Sequence, residues 1–249
     1  MIGRPAVLVV RKDDRFSELL RESGFQVLNL ELIRTETCED LNELDAKLAQ
    51  INLYDGIFFT SPVAAEIFVE RTNAIGGGFA GKAYVLGERA KKVLENSDLD
   101  VVYQNQANGA EDLIKSFSEG EFAGKRFLFV RGETSLQTIP QLLASKARID
   151  DVVVYRTLEN RPNADILRLT RTQLENDLID WVCFFSPSGV DSFKKFFGSD
   201  VGTNLKVAVI GDTTANRANE SLLKPSFIST RANADNFALE FIQYINDIG

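Results

Sequence analysis

The chain has 249 residues, of which 44% are hydrophobic and 26% charged, enough for one large domain or two small ones. It contains no histidine, which excludes Ser-His-Asp and Cys-His catalysis, histidine metal sites and histidine as a general acid or base. Its net charge of −8 disfavours a nucleic-acid surface, since such surfaces usually carry a basic stripe. The sequence has no apolar run near the ~18 residues of a membrane span and no signal-peptide core, so we expect a cytoplasmic protein that binds neither membrane nor nucleic acid.

The spacing of apolar residues predicts strands and helices that alternate along the chain. In the first half, helices are predicted at 15–21, 39–49, 64–71, 89–94 and 110–117. In the second half, strands are predicted at 126–130, 152–155, 182–185 and 207–210, with helices at 134–146, 164–177, 187–197, after 214 and at 233–248. Parallel strands need a crossover, usually a helix, so this alternation predicts two doubly wound parallel sheets of four or five strands.

The two halves of the sequence resemble each other. The segment IFFTSP, which contains Ser61, is similar to VCFFSP, which contains Ser186, at an offset of 125 residues. Four further pairs of segments recur in the same order with offsets between 120 and 125, and among them FLFVR ending at Arg131 matches AVLVVR ending at Arg11. A repeat with so long a period predicts an internal duplication, each copy forming about half of the chain.

The duplication allows two ways of dividing the chain into domains. The segment at 119–124 is the obvious cut for two consecutive domains. A second cut follows from IRT at 33–35 and YRT at 155–157, which match each other and end corresponding strands. If the chain crosses between domains at both segments, domain one comprises residues 1–33 and 161–249 and domain two residues 37–156, with linkers at about 34–36 and 157–160.

Most of the recurring segments pass from a strand into the N-terminus of a helix. In open α/β sheets, ligands bind beyond the carboxyl ends of the strands. Helix N-termini there offer unpaired N–H groups and a partial positive charge, so they bind anions without side-chain cations. An alternative stays open at each position, because serine, threonine and aspartate are also preferred helix caps. Neither half contains GxGxxG or the GxxxxGK[ST] phosphate loop, so no motif supports a nucleotide site.

The two halves differ at positions that bear on chemistry. Tyr155 stands where the first half has the aliphatic Ile33. A phenol at the end of a strand, facing a cleft between domains, suits a proton donor. Packing of the ring at the strand end explains the same residue equally well from spacing alone. Thr213 and Thr214 likewise replace Arg89 and the alanine that follows it.

Taken in order, the segments FTSP, RGE, VYRT, FFSPSGV and IGDTTA, followed by a final helix, resemble the uroporphyrinogen-III synthase family. The similarity runs from about residue 7 to residue 245, and the last three segments are specific as a set. The resemblance implies an α/β fold of two similar doubly wound parallel-sheet domains, flavodoxin-like and joined by two linker strands. It also implies that the N-terminal segment shares a domain with the C-terminal half, in line with the second cut.

The resemblance further implies a substrate and a reaction. The substrate is hydroxymethylbilane, a linear tetrapyrrole with eight carboxylates. The enzyme, a lyase, removes its terminal hydroxyl as water, inverts the last pyrrole ring and closes uroporphyrinogen III in tetrapyrrole (haem, sirohaem) biosynthesis. No metal or organic cofactor is implied. We expect a monomer, and we consider a direct handover of substrate from the preceding enzyme of the pathway.

The family's functional residues are carried over position by position. Tyr155 matches the tyrosine of VY(R/Q)T, and its phenol, protonated at neutral pH, can donate a hydrogen bond to the departing hydroxyl. Arg11 and Arg131 are candidates for charge-assisted contacts at the rim of the site, with a structural or solvated role as the alternative. The substrate-binding candidates, expected to hold carboxylates with nearby backbone N–H groups, are Ser61, Gly87, Ser186, Ser188, Gly189, Thr213 and Thr214.

One departure from the family pattern lies after the first glycine turn, where Ala90 replaces a frequent threonine and is expected to remove one hydroxyl from the site. Three other functions stay open on the sequence. They are a non-catalytic homologue that binds an anionic small molecule in the cleft between domains, a two-domain periplasmic-type receptor, and a structural or interaction module. The missing signal peptide argues against the receptor.

Overall fold

The computed structural model describes residues 4–76, 79, 81–107, 109–202 and 204–248, along which strands and helices alternate. The strands are β1 Ala6–Val9, β2 Gln26–Asn29, β3 Ile33–Thr37, β4 Gly56–Phe59, β5 Lys82–Val85, β6 Asp100–Tyr103, β7 Arg126–Gly132, β8 Arg148–Glu159, β9 Trp181–Phe184, β10 Lys206–Val209 and β11 Pro225–Ile228. The helices are α1 Arg15–Glu22, α2 Asn42–Leu48, α3 Pro62–Ala74, α4 Glu88–Leu94, α5 Ala110–Lys115, α6 Thr138–Leu143, α7 Ala164–Glu175, α8 Pro187–Phe197, α9 Asp212–Glu220 and α10 Ala234–Ile248.

The predicted alternation is confirmed, and one helix is clearly shorter than predicted. The prediction of a helix at 134–146 is wrong at its start, because a turn occupies the first residues. The Gly132 N–H donates to Ser135 Oγ at 3.1 Å, and the Ser135 N–H donates to the Gly132 carbonyl oxygen at 3.1 Å. The helix α6 therefore begins at Thr138.

The contacts divide the chain into two compact units, one formed by residues 1–34 and 158–249 and the other by residues 35–157. The chain enters the second unit within β3 and leaves it within β8. That residues 1–33 with 161–249 and residues 37–156 fold as independent domains, joined by linkers, stays a prediction.

The first unit contains a five-stranded sheet in the order β2-β1-β9-β10-β11. Every neighbouring pair in it is parallel. Numbered along the unit itself, this is the order 2-1-3-4-5 of flavodoxin-like folds, in which the strand order reverses between the first and the third strand. The reversal in the first unit therefore lies between β1 and β9.

The second unit contains a six-stranded sheet in the order β3-β8-β7-β4-β5-β6. With β3 left out, the order is β8-β7-β4-β5-β6, and these strands take the places of β2-β1-β9-β10-β11 in the first sheet. The reversal of strand order therefore lies between β7 and β4. The predicted α/β class, with two similar doubly wound parallel sheets, is confirmed. The prediction of four or five strands is wrong for this sheet, because β3, in the segment that crosses between the units, pairs with β8 as a sixth strand.

Both faces of each sheet are buried. Successive side chains of a strand point to opposite faces, so Ile57 and Phe59 of β4 pack into one apolar cluster and Phe58 into another. The strand β9 does the same, with Val182 in one cluster and Trp181 in the other. Continuous apolar runs such as GIFF and WVCF therefore form central strands, as burial on both faces requires.

The strands β7 and β8 are held together at their amino ends by a charged cluster. Asp150 of β8 accepts hydrogen bonds from Arg126 Nε of β7 at 2.9 Å and from the Tyr54 hydroxyl at 2.9 Å. The Arg148 Nε donates to the other carboxylate oxygen of Asp150 at 3.2 Å. Burial alone would raise the pKa of Asp150, but these hydrogen bonds outweigh burial and lower the pKa to about 2. Burial and the bond to the carboxylate raise the pKa of Tyr54 to about 12.

We predict that Asp150→Asn lowers the free energy of unfolding by about 2 kcal/mol at pH 7, since hydrogen bonds to a charged group are the stronger ones. The pKa of Asp150 is about 2 in the folded protein and ~3.9 in an unfolded chain, so this stabilisation is complete above about pH 4 and is lost as the pH falls toward 2. Urea unfolding between pH 7 and pH 3 measures it. The exposed Asp247→Asn is the control, with a change under about 0.5 kcal/mol. A difference in free energy of unfolding between the wild type and Asp150→Asn that does not narrow below pH 4 would contradict this role of Asp150.

We also predict that the two domains unfold separately. Trp181, the single tryptophan, is buried in the first unit, so its fluorescence reports on that unit. Leu128→Ala opens a cavity in the core of the second unit and should cost about 2–5 kcal/mol there. It should move the urea midpoint seen by far-UV circular dichroism and not the midpoint seen by fluorescence. Leu8→Ala, the matched change in the first unit, should move the fluorescence midpoint. Equal shifts of both signals in both variants would show a single cooperative block.

Candidate functional site

Six of the predicted site residues lie at one edge of the first sheet, where the carboxyl ends of its strands meet. They are Arg11, Ser186, Ser188, Gly189, Thr213 and Thr214. β1 and β9 reach this edge side by side, with the Val10 N–H donating to the Cys183 carbonyl oxygen at 3.0 Å. β9 and β10 do the same, with the Ile210 N–H donating to the Phe184 carbonyl oxygen at 3.0 Å. Parallel pairing thus collects segments that are far apart in the sequence.

Ser186 caps the helix α8. Its Oγ accepts a hydrogen bond from the Gly189 N–H at 3.2 Å and lies 3.1 Å from Ser188 Oγ, and Pro187 occupies the first turn. Gly189 is buried, and a Cβ placed there would lie 3.7 Å from Val10 Cγ1. The start of α8 is therefore packed against the end of β1, with the two serine hydroxyls in contact with each other.

Two contacts of its side chain help to hold Arg11 at the same edge. Its Nη2 lies 2.7 Å from Asp14 Oδ2, and its guanidinium carbon lies 4.4 Å from the centre of the Phe185 ring. The second distance is that of a cation–π contact. Sequence reasoning missed Phe185, whose position between a buried strand and Ser186 was the available signal. Stacking of this kind orients the planar guanidinium for charge-assisted hydrogen bonds.

Thr213 and Thr214 begin the helix α9 but differ in exposure. Thr213 is exposed, whereas Thr214 is only 3% exposed. Ala90, which matches Thr214 in the first half of the sequence, is fully buried in the apolar core of the second unit. Side chains at this position of the glycine turn therefore point inward. The replacement of threonine by Ala90 changes an inward-facing position, and the expected loss of a hydroxyl from the site stays a prediction.

The other four predicted residues lie at the carboxyl edge of the second sheet. Along the consecutive strands β8-β7-β4-β5, they are Tyr155, Arg131, Ser61 and Gly87. The central strand ends are in register, since Phe59 pairs with Val130 on one side and Val85 on the other. The carboxyl edge of this sheet thus brings four of the predicted residues into one row.

Ser61 precedes α3 as Ser186 precedes α8, but its side chain does not cap the helix. Among the residues that the structure describes, its hydroxyl has no hydrogen-bond partner. Gly87 precedes α4 with a φ of +90°, which favours glycine, and a Cβ placed there would meet no atom within 4 Å. The Ser61 hydroxyl therefore has no partner in the described part of the chain, and the turn at Gly87 leaves open space at its own α-carbon.

Arg131 is bound to its own sheet. Its Nε lies 2.6 Å and its Nη2 2.5 Å from Asp151 Oδ2, and its Nη1 donates to the Gly132 carbonyl oxygen at 3.0 Å. The side chain is 14% exposed. These contacts favour the structural role for Arg131 over a contact with a ligand at the rim.

Tyr155 lies past the middle of β8 and is half-buried, with its ring against the apolar cluster on one face of the sheet. Its carbonyl oxygen accepts a hydrogen bond from the Glu133 N–H at 2.9 Å. Its hydroxyl has no hydrogen-bond partner within the described part of the chain. The packing of the ring against the core fits the structural interpretation, and the role of the hydroxyl as a proton donor stays a prediction.

The reversals of strand order select among these residues. In doubly wound sheets, ligands bind in the crevice where the order reverses, outside the carboxyl ends of the strands. The reversal between β1 and β9 lies next to Arg11 and Ser186, and the reversal between β7 and β4 lies next to Arg131 and Ser61. The fold and the site thus define a protein with flavodoxin-like parallel sheets whose ligand-binding edges are the carboxyl ends of the strands.

The helices that begin at the two reversals suit anions. The first turns of α3 and α8 carry no acidic residue, whereas those of α4 and α9 carry Glu88 and Asp212. A carboxylate in the first turn competes with a bound anion for the free N–H groups and the helix dipole. Of the four helix starts, those after Ser61 and Ser186 are therefore electrostatically better suited to a carboxylate.

Within the described ranges, no three acidic or cysteine side chains come together as a metal ion would require. In the same part of the chain, no helix combines the length and the apolar character that crossing a membrane demands. At the two sheet edges, aspartates form ion pairs with arginines: Asp14 with Arg11 and Asp151 with Arg131.

Comparison with known proteins gives a consistent result. The family model for uroporphyrinogen-III synthase HemD matches residues 14–238. The uroporphyrinogen-III synthase of Chlorobaculum parvum is 25% identical over 239 residues, covering 93% of this chain and 96% of that protein. A mutant uroporphyrinogen III synthase of Thermus thermophilus superposes with a TM-score of 0.65 at 16% identity, covering 98% of this chain and 100% of that one. The uroporphyrinogen-III synthetase of Helicobacter pylori gives 0.64 at 17% identity, covering 97% and 99%.

Since the family model spans most of its length, the chain belongs to the uroporphyrinogen-III synthase family. The solved structures, at their low identities, show that it shares the two-domain α/β fold of these enzymes. The resemblance drawn from the sequence segments is confirmed, and with it the link to tetrapyrrole biosynthesis. The alternative of a non-catalytic homologue is not favoured.

The two matched serines generate a prediction about stability. Ser186→Ala should lower the free energy of unfolding by about 1 kcal/mol, because α8 loses its cap. Ser61→Ala should change it by less than about 0.5 kcal/mol, because no cap is lost. Urea unfolding followed by circular dichroism measures both, and each serine is the control for the other. Equal losses would mean that Ser61 also caps its helix and is not available to a ligand.

Proposed function

We propose that the chain is a lyase that converts hydroxymethylbilane into uroporphyrinogen III and water, inverting the last pyrrole ring as the macrocycle closes. The observation that carries the proposal is the Tyr155 hydroxyl, which has no partner in the described part of a chain of this family and lies at the carboxyl edge of the second sheet. The lyase class and the substrate rest on the family to which the chain belongs.

Binding of an octacarboxylate by a chain with a net charge of −8 needs local positive potential. The N-termini of α3 and α8 supply it through unpaired N–H groups and the helix dipole. The hydroxyls of Ser61 and Ser188 and the exposed Thr213 add hydrogen bonds to carboxylate oxygens. Arg11, stacked on Phe185, supplies a guanidinium donor at the edge of the first sheet.

The water-forming step needs a proton donor close to the leaving oxygen. In our proposal, the Tyr155 hydroxyl donates a hydrogen bond to the terminal hydroxyl of the substrate as its C–O bond breaks. The electron-rich pyrrole supplies the electron pair that expels the oxygen, which takes up a proton and leaves as water. Closure with inversion forms two carbon–carbon bonds at the last ring and breaks one, because the two α-carbons of that ring exchange their bridges. The formerly free α-carbon loses a proton, which balances the proton taken up by the leaving oxygen. The overall step neither oxidises nor reduces the substrate, so it requires no electron-transferring cofactor.

Control of the product isomer depends on how the substrate is held. Loss of hydroxyl from an electron-rich pyrrole is intrinsically easy, so the enzyme must favour the closure that inverts the last ring. Carboxylate contacts at both sheet edges would hold the linear chain in the conformation that closes in this way. The residues that we assign to this binding are Ser61, Gly87, Ser186, Ser188, Gly189, Thr213, Thr214, Arg11 and Arg131. Thr214, whose side chain points inward, acts through the start of α9 that it packs, and Arg131 acts through the strand that it braces.

The proposal extends to the location, the oligomeric state and the source of the substrate. We infer a cytoplasmic monomer, with substrate handed over by the preceding enzyme of the pathway. An acidic composition without an apolar run of membrane length supports the location. Rapid handover would suit a substrate that closes spontaneously when it is free in solution.

We predict that Tyr155→Phe lowers kcat about 100-fold, the low end of what a positioned acid contributes. KM should stay within about twofold, since the ring and all carboxylate contacts remain. The rate of hydroxymethylbilane consumption, corrected for spontaneous closure, measures both. Tyr103→Phe is the matched control, because Tyr103 also ends a strand at the carboxyl edge of the same sheet. Unchanged kcat in Tyr155→Phe, or an equal loss in Tyr103→Phe, would refute the role of Tyr155.

A further inference from the structure

Gly132 ends the strand β7 directly beneath the ring of Tyr155. A Cβ placed on Gly132 would lie 2.4 Å from Tyr155 Cζ, 2.6 Å from Cε2 and 2.8 Å from the hydroxyl oxygen. All three distances are shorter than any ordinary non-bonded contact between a Cβ and a heavy atom. Gly132 does not have a positive φ, so the position requires the absence of a side chain and not a glycine-specific backbone.

The backbone of Gly132 has little freedom to yield. Its N–H donates to Ser135 Oγ at 3.1 Å, and its carbonyl oxygen accepts from the Ser135 N–H at 3.1 Å and from Arg131 Nη1 at 3.0 Å. On the other strand, the Tyr155 carbonyl oxygen is bonded to the Glu133 N–H at 2.9 Å. A side chain at position 132 would therefore displace the outer end of the phenol, which is the part of the pair that can move.

The contact depends on an irregularity in the pairing of β7 with β8. The register shifts between Arg131 and Gly132, and Gly132 then pairs with Tyr155. In the first half of the sequence, the positions matching Gly132 and Tyr155 hold Lys12 and Ile33. The glycine and the tyrosine thus occur together in one copy of the duplicated unit and are both replaced in the other.

We propose that Gly132 is a positioning residue that sets the place of the Tyr155 hydroxyl. The proposal rests on the function proposed above for Tyr155. The bare α-carbon of Gly132 lets the ring lie across the end of β7, so that the hydroxyl has one position at the sheet edge. Even a methyl group at residue 132 would turn the phenol of Tyr155 away from that position. Assistance by an acid falls steeply when the proton donor is misplaced.

Gly132→Ala tests this with two readouts. The chain has five tyrosines, so labelling with 3-fluorotyrosine gives one fluorine resonance for each, and Tyr155→Phe identifies the resonance of Tyr155. Gly132→Ala should shift that resonance and lower kcat by the same factor as Tyr155→Phe, about 100-fold. The double variant should be no slower than Tyr155→Phe, because the two changes remove the same interaction.

Gly56→Ala is the matched control. Gly56 is another buried strand glycine of the second sheet, and a Cβ there would lie 2.8 Å from Cε2 of the Tyr84 ring. It begins β4, at the end of the sheet opposite to Tyr155. Gly56→Ala should shift the Tyr84 resonance, leave the Tyr155 resonance in place and retain wild-type kcat. This separates a displaced phenol from general loss of stability.

The outcomes separate this proposal from the proposed function. If Tyr155→Phe loses activity while Gly132→Ala keeps wild-type kcat or an unshifted Tyr155 resonance, the positioning role is wrong and the role of Tyr155 stands. If Tyr155→Phe keeps its activity, the role of Tyr155 fails first and the positioning role falls with it. If Gly132→Ala does not fold, Gly132→Ala combined with Tyr155→Ala must restore folding, since the clash is then gone. Failure to restore it would overturn the proposal.

Discussion

Parallel pairing of strands is the constraint on which the site depends. It places the carboxyl ends of the parallel strands along one edge, and the helices that return the chain must begin there. The exception is β3, which runs antiparallel to β8, as the hydrogen bonds from Cys38 N–H to the Val154 carbonyl oxygen and from Asn160 N–H to the Leu32 carbonyl oxygen show. Strand order then selects one crevice in each sheet, between β1 and β9 or between β7 and β4. In both sheets, the helix that begins at the crevice has a first turn without acidic residues. This arrangement is the physical basis of our proposal that an acidic chain binds a polyanion through backbone N–H groups.

Much of this arrangement could be predicted from the sequence, because it depends on properties that short segments carry. Apolar runs such as GIFF and WVCF are long enough to mark buried strands, and Pro62 and Pro187 mark the helices that follow. The repeat then matched Ser61 with Ser186 across the chain. Sheet edges could be inferred from that order alone, since parallel strands connected by helices leave few alternatives.

The details that decide chemistry could not be predicted, because they depend on contacts between distant segments. Ser61 and Ser186 stand in nearly the same local sequence, yet only Ser186 caps its helix. The burial of Thr214 depends on how α9 packs, which no local pattern records. The approach of Tyr155 to Gly132 requires a shift of register in a strand pair whose members lie on either side of α6. These are tertiary effects, and they separate residues that bind from residues that only support the fold.

The most direct test of the account is the isomer of the product. Purified protein would be incubated with freshly prepared hydroxymethylbilane, the products oxidised, and the uroporphyrin isomers separated by chromatography. If the chain is the synthase, uroporphyrin III should be in excess over isomer I, which spontaneous closure without ring inversion gives. Isomer I alone, from protein shown to be folded by its circular dichroism spectrum, would contradict the account.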